Sequence, residues 1–110
     1  MKRIISLIAF ILMLTVAELQ AQIVIKGNIT DTSGEPLFNV SVLVHNAGSN
    51  LIIAYGFSDI DGNYEISFNS PSDSLDIKTN SSFYEKITKR IANTSQTIDF
   101  VLKEEIYELK

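Results

Sequence analysis

The sequence predicts an all-β fold, a seven-stranded antiparallel β-sandwich, behind a secretion signal. Three observations carry this reading. Apolar residues alternate with polar ones in short segments, the period of a half-buried strand. Clusters of Asp, Asn, Ser, Gly and Pro separate those segments at the ~8–12-residue spacing of small sandwiches. Strong helical periodicity is absent between Gln22 and Leu102.

The first residues belong to the signal rather than the fold. Lys2 and Arg3 form a basic start, Ile4 to Val16 an apolar run broken only by Ser6 and Thr15, and Ala21 offers a cleavage point. This is the three-part layout of a secretory signal peptide, assigned to residues 1–21. The competing reading, an uncleaved membrane anchor, asks for a run nearer ~20 residues. No cysteine follows the cut, which excludes a lipid anchor on a mature N-terminal cysteine.

Residues 22–103 are assigned to the sandwich. In the first strand Ile23, Ile25 and Ile29 share one parity, with Val24 the exception. Asp31 to Pro36 is a turn cluster containing Gly34. Val40, Val42 and Val44 then alternate with Ser41, Leu43 and His45, and Asn46 to Asn50 turns again. Leu51 to Ser58 is apolar on both parities, which predicts a strand that is central or covered on both faces. Tyr64, Ile66 and Phe68 alternate cleanly with Glu65, Ser67 and Asn69, and Leu75, Ile77 and Thr79 follow a Ser-Pro-Ser-Asp loop. Ile87 and Ile91 mark a sixth strand whose Lys86, Lys89 and Arg90 suit a sheet edge, because charge there discourages strand addition. Ile98, Phe100 and Leu102 close the pattern, and residues 104–110 form a charged C-terminal tail expected to fray.

Composition removes several kinds of function. The 110 residues allow one domain. There is no cysteine, so disulfides, thiolate-ligated metals and Cys-His catalysis are impossible. Nine basic against thirteen acidic side chains give a net charge of −4, the wrong balance for a nucleic-acid groove. One histidine, His45, leaves too few parts for a hydrolase. No cofactor is expected.

The remaining candidate sites are weighed on spacing. Asp59-Ile60-Asp61-Gly62-Asn63 invites a calcium reading, since carboxylates at alternate positions supply oxygens to a hard cation. The EF-hand spacing fails, with glycine at position 4 and Ser70 at position 12. Turn chemistry accounts for every residue: Gly62 takes positive φ, and Asp59 and Asp61 bond the turn's own amides. Asp59 and Asp61 therefore stand as weak metal candidates and, with Gly34, Pro36 and Gly62, as structural turn residues. By parity His45 falls off the core face, where a solvated histidine is expected. Tyr55, Phe57 or Tyr107 would stack on sugars if exposed, but parity favours the core. Asn28, Asn39, Asn80 and Asn93 head Asn-X-Ser/Thr triplets, which matter only where sequons are glycosylated.

Taken in order, Gly27-Asn28-Ile29-Thr30-Asp31, Gly34-Glu35-Pro36-Leu37, Val40-Ser41-Val42 and Asp59-Ile60-Asp61-Gly62-Asn63-Tyr64-Glu65-Ile66 resemble the carboxypeptidase-regulatory-like domain. It is similar to the version found behind the signal peptide of TonB-dependent outer-membrane receptors in Bacteroidetes-type bacteria. The resemblance covers Ile23 to Leu102 and implies a transthyretin-like, Greek-key arrangement of the seven strands. It departs from the family pattern at Phe83, where a glycine usually precedes the tyrosine, and at Asn46-Ala47, where a Gly-Thr pair is common.

It implies a non-catalytic accessory or interaction module of receptor systems, exported to the periplasm or outer membrane, with protein partners and without nucleic acid. No transmembrane segment is expected after signal cleavage. Carboxypeptidase activity does not carry over, because the His-x-x-Glu and later histidine pattern is absent. The residues present leave no room for a spanning barrel, so the chain is not expected to be a transporter by itself. The alternative is a small carbohydrate- or calcium-binding sandwich domain.

Overall fold

The structure, a computed structural model, describes residues 22–105. The expected signal peptide, Tyr107 and the last residues of the tail lie outside the described residues. Eight strands form two sheets, and there is no helix among the described residues. They are β1 (Ile23–Asp31), β2 (Ser41–Asn46), β3 (Ile52–Phe57), β4 (Asn63–Phe68), β5 (Ser74–Asn80), β6 (Thr88–Ala92), β7 (Gln96–Thr97) and β8 (Phe100–Leu102). The first sheet runs β4-β1-β7, with β8 also on β1; the second runs β3-β2-β5-β6. This is an all-β sandwich. The sheets enclose one apolar core, built from Ile25, Ile29, Tyr64, Ile66, Phe68, Phe100 and Leu102 on one side and Val42, Val44, Leu75 and Ile77 on the other.

Three features differ from the sequence expectation. The closing segment is two strands, and both pair with β1 in parallel. The register is nonetheless continuous: Ile25 faces Gln96 and Ile29 faces Phe100. Between them the Ile98 amide still donates to the Lys26 carbonyl at 2.8 Å, but the next rung, from the Asn28 amide to the Ile98 carbonyl, is missing. The Ile98 carbonyl leans over Gly27, where a Cβ would stand only 1.8 Å from its oxygen. There it accepts the hydroxyl proton of buried Tyr64, which lies opposite Gly27 on β4. Asp99 Oδ1 takes the Asn28 amide at 2.9 Å in place of a backbone carbonyl. A buried phenol needs a partner, and only glycine leaves the gap through which this one is reached.

The second difference is β3, which is an edge strand and not a covered one. Ala54 and Gly56 pair with Val44 and Val42 on the core side, and a Cβ on Gly56 would come within 2.9 Å of Ile66. The two sheets pinch together here, so the inward residues are small. Tyr55 and Phe57, expected in the core, point outward and are 65% and 53% exposed. β6 occupies the opposite edge of the same sheet, where its lysine and arginine were expected.

The third difference is the tail. Glu104 bridges to Tyr84, and the Glu105 amide donates to the Phe83 carbonyl at 2.6 Å. The first two tail residues are therefore held against the loop after β5. In that loop Phe83 has φ +71°, a left-handed conformation that costs an L-residue ~1–2 kcal/mol. It stands where the family resemblance calls for glycine.

Gly27→Ala should lower stability by roughly 3 kcal/mol or more, because a backbone carbonyl must move, as read by urea unfolding. Phe83→Gly should raise it by up to ~1 kcal/mol in the same assay, relief of strain exceeding the added chain entropy. Its ring is mostly solvent-exposed, so little burial is lost.

Candidate functional site

Two loops at one end of the sandwich are built alike. Asp31 Oδ1 accepts the amides of Ser33 and Glu35, the Gly34 amide donates to the Asp31 carbonyl, and the Asp31 amide donates to the Glu35 carbonyl. Asp59 repeats each bond with Asp61, Asn63 and Gly62. Gly34 and Gly62 have φ of +85° and +81°. The spacing Asp-x-x-Gly-x suffices, since aspartate mimics a backbone turn and glycine takes the left-handed position.

The loops meet at Ile29. Its amide donates to the Gly62 carbonyl, and its carbonyl accepts from Leu37. A Cβ on Gly62 would lie 2.4 Å from that carbonyl oxygen and 3.2 Å from the Pro36 Cβ. Asn28 Nδ2 donates to the Asp61 carbonyl and to Asn63 Oδ1.

Asp59 thus spends one carboxylate oxygen on turn amides, while Asp61 is exposed with its amide bonded to Asp59. Among the described residues no three His, Cys, Asp or Glu converge as metal ligands. Of the sequon asparagines, Asn28 is engaged as above, and Asn93 donates to the carbonyls of Ser70 and Ser72. Asn39 sits at φ +62°, and Asn80 ends β5.

His45 is not solvated. It is 4% exposed, and neither ring nitrogen has a hydrogen-bond partner. Val44 and His45 are buried in succession. The β2–β5 register runs unbroken through both, so Val44 faces the core and His45 the opposite face; on the other edge of β2 a bulge pairs Val44 with Ala54 but His45 with Ile52, leaving Ile53 as the extra residue on β3. On its other side His45 pairs with Asp76 of β5. The Asp76 carboxylate receives Arg90 Nε at 2.9 Å and Nη2 at 3.2 Å, and the Gly48 amide at 3.0 Å. These bonds, Arg90 foremost, hold its pKa down to about 2. Burial pushes the Tyr64 phenol well above its ordinary value, and the charge of Asp99 adds to the rise.

Two surfaces remain open. One is a shallow cleft where Phe57 stands beside Lys26, Asp59, Asn63, Glu65 and Asp99. The other is the edge of β3 with the adjacent edge of β4. Leu51, Ile52, Ile53, Tyr55 and Phe57 are all exposed there, and the Tyr55 and Phe57 rings meet edge to face at 5.9 Å. The sequence carried a signal for this: within β3 the bulky residues Ile53, Tyr55 and Phe57 share one parity and the small Ala54 and Gly56 the other. No sequence pattern marked Gly27 or the orphaned ring of His45.

No family model matches the chain, and no curated protein does. Solved structures share its fold. Chlorocatechol 1,2-dioxygenase from Pseudomonas putida is 14% identical with a TM-score of 0.55, over 76% of this chain and 60% of that one. Wild-type catechol 1,2 dioxygenase from Acinetobacter radioresistens is 13% identical with a TM-score of 0.59, over 82% and 54%. 3-Chlorocatechol 1,2-dioxygenase from Rhodococcus opacus 1CP is 13% identical with a TM-score of 0.58, over 80% and 62%. The chain spans less than two thirds of each of these proteins. At such identity the likeness is one of fold alone.

Asp76 should set part of the acid stability. Its folded pKa lies below the ordinary 3.8, so its contribution is full above pH ~4 and is lost as pH falls toward about 2. Asp76→Asn should flatten the stability profile across that window in urea titrations. His45→Leu removes two unpartnered buried nitrogens and should be neutral or stabilising by up to ~1 kcal/mol.

Proposed function

We propose that this chain is a non-catalytic interaction module, exported to the periplasm or outer membrane and associated with TonB-dependent receptor systems. The observation that carries the interaction reading is the β3 edge, unpaired, uncharged and apolar on its outward face. Folded proteins usually blunt such edges with charge or cover. An edge left bare is a docking strand for a partner's strand. Export rests on the signal pattern of residues 1–21, and the receptor association rests on the family resemblance of Ile23 to Leu102. That resemblance also supports the finer architecture, a transthyretin-like Greek key of seven strands with β7 and β8 taken as one interrupted strand. The non-catalytic reading rests on the single histidine, enclosed between strands and hydrogen-bonded to no acid.

A second reading has one observation in its favour. Phe57 is half-exposed beside the polar groups of the cleft, the pairing of ring and hydrogen-bonding side chains that sugars use. The calcium arm of this alternative has less support, because Asp59 already serves two amides.

The test is affinity capture from outer-membrane extracts of the native host, with recovered proteins identified by mass spectrometry. A TonB-dependent receptor should be retained by the native chain and lost with Tyr55→Lys, which charges the edge without touching the core. Retention of no receptor, or equal retention by both chains, would refute the reading. Titration calorimetry against a glycan panel separates the alternative: heat that disappears with Phe57→Ala would favour the sugar site.

A further inference from the structure

The two sides of the sandwich are finished differently. On the β6 side Lys89 Nζ donates to the Asp99 carbonyl at 2.7 Å and sits 4.7 Å from the Phe100 ring centre, lacing the second sheet to the first. Gln96 Nε2 donates to the Ala92 carbonyl, holding β6 to β7. On the β3 side nothing comparable crosses the opening among the described residues, and β3 carries no charge.

We propose that the occupant of the β3 edge is a second copy of this chain, paired antiparallel through β3 about a twofold axis at Tyr55. The proposal rests on the docking reading above and gives the bare strand to a second copy, so that a receptor meets the dimer and is lost with Tyr55→Lys because the dimer is. Three arguments select a copy. A strand with no charged residue meets a like strand without repulsion, whereas a charged strand would leave its charges unmatched.

The second argument is register. Opposite residues in an antiparallel pair share a face, so outward Tyr55 and Phe57 must meet outward residues. Pairing that covers Phe57 with the partner's Ile52–Ile53 end places Tyr55 against Tyr55 of the second copy, with Ala54 and Gly56 facing each other inward. Aromatic against β-branched is a favoured cross-strand combination.

The third argument is area. The exposed parts of Leu51, Ile52, Ile53, Tyr55 and Phe57 sum to on the order of 600 Å², approaching the ~800 Å² per partner of a standard interface before backbone is counted. The result is one eight-stranded sheet, β6-β5-β2-β3 continued by its twofold mate. The charged β6 strands at its two ends stop further addition.

Sedimentation velocity of the purified protein, with no other protein present, tests this. The native chain should be dimeric at micromolar concentration, and Tyr55→Lys should weaken the dimer at least 100-fold. Its far-UV circular dichroism should be unchanged, because Tyr55 lies outside the core. The chain has no cysteine, so Tyr55→Cys gives a clean cross-link. Directly opposed residues have Cα atoms ~4.5–5.5 Å apart, within disulfide range, so a disulfide-linked dimer should form on mild oxidation. Thr88→Cys on β6 should give none.

A monomer at all concentrations, a dimer indifferent to Tyr55→Lys, or cross-linking through Thr88→Cys alone would overturn the proposal. Receptor capture that still depends on Tyr55 in a monomeric protein would leave the docking reading standing and remove only the second copy.

Discussion

The fold is closed by one hydrogen bond through one gap. Tyr64 reaches across Gly27 to the Ile98 carbonyl, and three strands of the first sheet are thereby tied at a single level. The last strand needs this tie. It runs parallel to β1, so no hairpin holds it there, and its ladder loses the rung between the Asn28 amide and the Ile98 carbonyl. The Tyr64 hydroxyl on the Ile98 carbonyl and the Asp99 carboxylate on the Asn28 amide satisfy the two groups of that missing rung. A methyl group at residue 27 would remove all of this at once.

From that level the sandwich extends unequally. Toward one end the twin aspartate loops converge on both polar groups of the Ile29 backbone. Toward the β6 edge lysine and glutamine side chains stitch the sheets. Toward the β3 edge the sheets pinch on Gly56 and the bulky side chains turn to water. The restraints gather at one end and at the β6 edge and spare the β3 edge.

Much of the fold was legible in the sequence. β1, β2, β4 and β5 were, because each places a uniform set of apolar residues on one parity and buries it. β3 was less so: apolarity on both parities suggests cover on both faces, and only side-chain size, small Ala54 and Gly56 against bulky Ile53, Tyr55 and Phe57, points to which face is inward. His45 was misread because parity gives the face of a strand and not whether that face is covered: the ring lies off the core side yet is 4% exposed. The aspartate turns were visible as turns, but their shared bonding pattern and their meeting at Ile29 depend on tertiary proximity. The exposed rings of Tyr55 and Phe57 follow from the misread edge.

The pairing of the first strand with the last has a kinetic consequence. Val24 and Asn28 bond to Ser95 and Asp99, a separation of 71 residues, and such closures are slow because loop entropy is lost before contacts reward it. The β1–β4 pairing spans a shorter loop and can form first, while the other flank of β1 stays unpaired until β7 and β8 reach it. Until that closure β1 offers a bare flank, and the half-built first sheet is itself open to pairing with a stray strand.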